Sequence, residues 1–187
     1  MADLIALETN REARRKVRQW NDDNPENRRE WKEFDSTEIK AFIGLCLYAG
    51  LHKSNAEAVS LLWSESKGRP IFTATMSRNR FTSIVNFLRF DNRATRQERQ
   101  PDDKLAPFRD LWSLFQVQLP KFYIPCPDLC VDEQLVPFIG RCGFPQHIPS
   151  KLVQSRIKIW WGCDSQTCFN PLNGEVYLGR QPGQQRE

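Results

Sequence analysis

Asp132 and Glu133 stand side by side near the start of the apolar run CVDEQLVPFIG, residues 130–140. Burying an unpaired carboxylate costs on the order of several kcal/mol, so acids in a strand imply a solvated face, a basic partner or a cation. Magnesium prefers hard oxygen ligands, and two such ions about 4 Å apart clamp the attacking and leaving oxygens of an in-line phosphoryl displacement. One carboxylate cannot position such a pair. Strand alternation sends Glu133 to the opposite face from Asp132, so the two acids do not serve one cation together.

A second group of chemically capable residues is Cys126, Cys130, Cys142 and His147, whose C-x3-C-x11-C-x4-H spacing offers three thiolates and an imidazole to zinc. No C-x2-C pair is present, Pro125 and Pro127 flank Cys126, and Cys130 falls at the start of a strand. The six cysteines therefore read as reduced thiols, buried or idle.

Charge supplies the third group. Residues 1–34 carry eight Lys or Arg against eight Asp or Glu, residues 78–104 seven against four, and residues 138–187 six against three. Both later stretches lean positive, which suits phosphate backbones and is also the ordinary look of a solvated face. Arg78, Arg80, Arg89, Arg93, Arg96 and Arg99 are the candidate phosphate contacts. Trp112, Trp160 and Trp161 are candidate stacking surfaces whose plainer reading is core.

The elements that must position these groups change texture along the chain. Up to about residue 120 the apolar spacing is helical; beyond about 128 it becomes short apolar runs broken by Pro and Gly, the pattern of strands. The opening residues, with alternating acids and bases, predict one or two short amphipathic helices of solvated character that give way to NDDNPENRRE. Asp35 and Glu38 form a capping box, and Ile39, Phe42, Ile43, Cys46 and Leu47 then share a face of a helix closed near Gly50. Ser54 is expected to cap a helix through Trp63, ended by Gly68 and Pro70, and Ser77 another that buries Phe81, Ile84, Val85 and Leu88. Residues 91–104 hold no apolar residue except Ala94 and predict an exposed, mobile connection. Pro107 then suits the first turn of a helix carrying Leu111, Trp112, Leu114, Phe115 and Leu119. Three strands follow, at Leu129–Phe138, Ile157–Cys163 and Glu175–Leu178, the second central and buried on both faces, in an antiparallel meander. Such a sheet needs further cover. No apolar run approaches the roughly 18 residues of a membrane span. The N-terminus lacks the basic-then-apolar arrangement of a signal peptide, and no fixed-period repeat is present.

The order MSRNRF, NFLRFDN, PFRDLWSLF, CVDEQLVPFIGRC, IPSK, IKIWWGCDS and VYLGR resembles the transposases of the piggyBac type, in sequence and with similar spacing, from about Thr37 to Arg180. The resemblance implies an α+β chain: an N-terminal all-helical domain, residues 1–120, for dimerisation and DNA binding, followed by the first antiparallel strands of a truncated ribonuclease H-like catalytic core, residues 128–187. In such cores three aspartates hold two divalent ions, usually Mg2+, for hydrolysis and strand transfer at phosphodiesters. Asp132 matches the first of them, catalytic and metal-liganding; Asp164 matches a strand end outside the family's ligand set. The second and third aspartates and a cysteine-rich finger belong to later parts of the family's pattern, so these residues are expected to be catalytically incompetent alone. A domesticated DNA-binding or interaction module, or a truncated gene copy, are the other readings. The resemblance further implies transposon-end DNA and a second copy or related transposase as partners, a nuclear location (otherwise cytoplasmic), and neither a membrane nor a small-molecule substrate.

Overall fold

The computed structural model of the chain describes residues 1–140, 142–147, 155–166 and 171–179. It forms two compact units, Met1–Thr95 and Arg96–Glu187. The helical-to-strand change of texture in the sequence thus falls within the second unit, whose helices pack with its strands.

The first unit is organised around α1 (Ala2–Asp23), a single long helix. Its alternating charges predicted a solvated helix, yet Glu8, Thr9, Asn10 and Glu12 are buried. The reason is that polar partners come to it. The Asn10 amide accepts from Phe34 N (2.9 Å) and donates to Phe34 O (2.8 Å), satisfying one residue's backbone completely. Each such bond contributes a net ~1 kcal/mol and, more importantly, avoids the larger cost of an unsatisfied buried group.

Next comes α2 (Ser36–Leu51), whose capping box is complete: Asp35 Oδ1 accepts from Glu38 N at 2.7 Å, and Glu38 reaches back to Asp35 N. It buries Ile39, Phe42 and Leu45, while Cys46 and Leu47 are exposed. In so uniformly apolar a helix several stripes are compatible with the spacing, and the neighbours choose among them. The expected helix from Ser54 to Trp63 is instead a 3₁₀ turn at Ser54–Ala56 and a four-residue α3 (Val59–Leu62). Glu57 and Ala58 between them are extended, and the Glu57 carboxylate is clamped by the Arg69 guanidinium at 2.8 and 3.1 Å. Pro70 then opens α4 (Pro70–Thr75), a helix without a prior sequence signal beyond its proline.

Ser77 caps α5 (Arg78–Phe87) by accepting from Arg80 N at 3.2 Å. Of its expected stripe, Phe81 and Ile84 are buried and Val85 is exposed. Tilted ring contacts join Phe42, Trp63, Phe72 and Phe81 at about 5 Å between centroids, making the unit's aromatic core. Residues 91–104 are not the open connection their polarity predicts. They contain α6 (Arg93–Arg99), and Asp91 is buried. Ion pairs, rather than apolar burial, order this stretch, which composition alone cannot reveal.

In the second unit α7 (Arg109–Gln116) starts two residues after Pro107, and a short α8 (Leu119–Phe122) follows it. The strands are β1 (Leu129–Pro137), β2 (Gln146–His147), β3 (Ser155–Asp164) and β4 (Pro171–Val176). The first, third and fourth form the expected antiparallel meander. Central β3 pairs with β1 on one side, and with β2 and then β4 on the other. It is only half-buried, however, with Trp160 39% exposed, rather than enclosed on both faces. One face is covered by α7, where Leu105, Trp112, Phe144 and Val176 form a core against Ile157, Ile159 and Trp161. Residues 171–174 join the strand instead of turning. Gly174 lies under the Trp161 indole, where a Cβ would come within 2.3 Å of the ring, and its N–H donates to Gln116 Oε1 at 3.1 Å while Gln116 donates back to its carbonyl.

Candidate functional site

The chain reaches β1 through residues 123–128, and a buried acid at the end of β3 holds that approach. Asp164 Oδ2 accepts from Tyr123 Oη and Cys126 N, both at 2.8 Å, and Oδ1 from Gln166 N at 2.8 Å and Cys126 Sγ at 3.2 Å. These donors, the Cys126 amide first and the Tyr123 hydroxyl second, hold its carboxyl well below the usual range. Asp164 is thus a clasp between the segment that leads into β1 and the end of β3. Its four donors give it a structural occupation that its place in GCDS does not announce.

Asp132 lies beyond this clasp, opposite Trp161 in the β1–β3 register, and is exposed. Directly opposed residues share a face, which sets Asp132 beside Cys130 and Gln134 on the side of the sheet that carries Trp161. Trp161 is fixed from two directions. Its Nε1 donates to Gln134 Oε1 at 2.9 Å, and its ring lies 5.5 Å from that of Trp112. Asp132 Oδ1 accepts from Glu133 N at 2.7 Å. Glu133 projects to the other face, where it pairs with Lys158, whose ammonium sits 4.0 Å over the Trp160 ring. The two adjacent acids therefore answer the burial problem differently: solvent for Asp132, a basic partner for Glu133.

The ligand set does not fit a pair of magnesium ions. Among the described residues no three His, Cys, Asp or Glu side chains gather as a metal site, and Asp132 brings a single carboxylate with one oxygen already engaged. Two of the thiols in the zinc-like spacing have other neighbours. Cys126 Sγ donates to Asp164 and to the Asp128 carbonyl, Cys142 packs on the α7 core, and the His147 side chain lies outside the described residues.

The six candidate arginines have unlike surroundings. Arg80 is a structural bracket: its guanidinium donates to both Glu38 oxygens at 2.8 Å and to the carbonyls of Lys32 and Glu33, and it stacks 3.9 Å from the Phe34 ring. This contact holds the Glu38 carboxyl below its ordinary value. Arg89 and Arg93 both reach Glu12, at 3.3 and 3.1 Å, and Arg99 donates to the Ala106 carbonyl. Arg96 is half-buried in α6, and Arg78 is exposed at the first position of α5.

Glu12 is the residue that sequence reasoning missed. It is 3% exposed and receives Arg15, Arg89 and Arg93, tying α1 to the segment after α5. The Arg15 hydrogen bond, opposed by burial and aided by the other two guanidinium charges, lowers its pKa from the ordinary 4.5 to about 2. A cleft of about 620 Å³ runs beside this cluster, with Arg11, Arg14, Arg18, Arg89 and Arg93 in its walls. Only the i, i+3 relation to Arg15 was visible in the sequence.

The family described as Transposase IS4 matches residues 1–187, the whole chain. The chain belongs to this family, as a member of the piggyBac-type transposases. It is 28% identical over 157 residues to the human PiggyBac transposable element-derived protein 3, covering 81% of this chain and 25% of that protein. The human chimeric ERCC6-PGBD3 protein is also 28% identical over 157 residues, covering 81% of this chain and 14% of the relative. A solved structure of a piggyBac transposase synaptic complex with hairpin DNA superimposes with a TM-score of 0.81 at 30% identity, covering 98% of this chain and 37% of that one. The chain therefore spans a quarter or less of the curated relatives it matches. Its helical region followed by antiparallel strands is the piggyBac transposase arrangement, and the family is generally metal-dependent. Among the described residues no helix is long and apolar enough to cross a membrane.

Proposed function

We propose that residues 1–187 contribute to piggyBac-type DNA transposition as the part of the protein that engages transposon-end DNA and carries one metal-liganding carboxylate, Asp132. The observation that carries the reading is the similarity to a transposase solved with hairpin DNA, over nearly the whole chain. With further ligands completing the site, Asp132 would hold one Mg2+ and the ion would supply metal-dependent hydrolysis and strand transfer at phosphodiesters. Asp132 has no second carboxylate beside it in a metal cluster among the described residues, so on this reading cutting needs ligands beyond those described. The reading includes a nuclear site of action and pairing with a second copy or a related transposase. The test is a Mg2+-dependent cleavage assay on paired transposon ends. Residues 1–187 alone are expected to leave the DNA intact, and robust cutting abolished by Asp132→Ala would overturn that expectation.

A binding role without cutting is the second reading, supported by the exposed Arg78 and by the half-exposed side chain of Arg93 at the Glu12 cleft. Phosphate contacts make affinity fall with salt. Arg78→Ala and Arg93→Ala are each expected to weaken binding of a transposon-end duplex and to reduce the salt slope by about one. Arg80→Ala is expected to act through stability instead, because its donors are committed to Glu38 and backbone carbonyls. An affinity indifferent to salt would remove phosphate contact as the basis of binding.

A further inference from the structure

Cys130 of β1 and Cys163 of β3 are directly opposed in the sheet register, and both are thiols. Ser165 N donates to Asp128 O at 3.1 Å, which makes 128/165 a hydrogen-bonded pair; alternation makes Cys130/Cys163 another. Such pairs hold their Cα atoms about 5.5 Å apart with side chains on one face. A disulfide requires Cα atoms roughly 4.4–6.8 Å apart, which this register provides, and Cβ atoms about 3.5–4.5 Å apart, so the two strands must draw closer than the ~5.5 Å Cβ separation of a hydrogen-bonded pair for the bond to close.

We infer that Cys130 and Cys163 form a dithiol that a small disulfide closes into a cross-strand bond. Cys130 is half-buried and Cys163 buried, which orders the events. The Cys130 thiolate attacks one sulfur of oxidised glutathione, forming a mixed disulfide and releasing one glutathione thiolate. The Cys163 thiolate then attacks the Cys130 sulfur and releases the second. Two S–H bonds are lost and one S–S bond forms; the two protons end on the two glutathione molecules, which are the reduced product.

The other described cysteines are placed differently. The Cys126 thiol is engaged by Asp164 and the Asp128 carbonyl, Cys142 packs against the α7 core, and Cys46 belongs to α2 in the first unit. The bond would fasten β1, which pairs only with β3 among the described residues, two positions before Asp132 and one before the Asp164 clasp. It makes the strand that bears the candidate ligand covalently inseparable from the central strand.

The test equilibrates the 187-residue chain with oxidised and reduced glutathione, then alkylates the remaining thiols and sequences the linked peptides by fragmentation mass spectrometry. The expected result is a loss of two of the six thiols through one Cys130–Cys163 link that excess reduced glutathione reverses. Cys126→Ser should leave the link intact. Cys130→Ser, which spares the buried partner, should abolish it without creating another. A mixed disulfide that stays on Cys130 in the folded wild-type chain, or a link from Cys130 to any cysteine other than Cys163, overturns the inference.

Discussion

Glu12 and Asp132 are each one carboxylate on one regular element, and the two units of the molecule treat them in opposite ways. In the first unit Glu12 is buried and surrounded by Arg15, Arg89 and Arg93, so its charge is consumed in holding the helices together. In the second, Asp132 is exposed and, among the described residues, has only the neighbouring amide of Glu133 on one of its oxygens. Charge that is buried and wholly taken up by internal partners cannot also serve an external ligand, while charge left largely in solvent, as on the outer side of Arg93, can do so at little cost to the fold. The same contrast divides Arg80 from Arg78, although both belong to α5 and both looked like phosphate contacts.

The largest effect is expected on removing the buried acid. Glu12→Ala leaves its arginines without their shared partner and is expected to lower stability by about 3 kcal/mol, measured by urea denaturation. A loss within about 0.5 kcal/mol would place Glu12 in the same class as Asp132. The pH dependence sharpens the point. Because the folded pKa of Glu12 is depressed from 4.5 to about 2, its contribution is complete above pH 4.5 and disappears as the pH falls toward 2. The loss is on the order of 3 kcal/mol, and it should be missing from the acid titration of Glu12→Gln.

Gly174→Ala tests whether packing rather than charge maintains the second unit. The added methyl would meet the Trp161 ring, and a cost of about 2 kcal/mol is expected, read as a lower thermal midpoint with altered tryptophan fluorescence. Asp35→Ala removes half of the α2 capping box and should cost about 1 kcal/mol in the same denaturation experiment. Asp132→Ala is expected to have the smallest effect on stability, within about 0.5 kcal/mol. A much larger loss would show that Asp132 is part of the scaffold after all.

How far these features can be read in advance depends on the range of the interaction. The Asp35–Glu38 box and the Ser77 cap were legible because capping joins residues three apart, and each was found with its hydrogen bonds in place. The β1–β3–β4 meander was legible from alternation and apolar runs, apart from strand ends displaced by a few residues. The buried polar stripe of α1 was not, since Asn10 meets Phe34 across 24 positions and Glu12 meets Arg93 across 81. The clasp at Asp164 likewise needs Tyr123, 41 residues earlier. For Asp132 the type of residue and its strand were readable, and its exposure was not, because exposure depends on which elements cover each face.

The amino-acid sequence by itself determined the local grammar of this protein: its capped helices, its turns at Pro and Gly, its apolar strands and the ordered motifs that mark its family. Those features rest on backbone geometry and on neighbours within a few residues. Only the tertiary structure decided which charges are structural and which face solvent. Electrostatic and desolvation energies depend on distances and burial in space, and a linear pattern records neither.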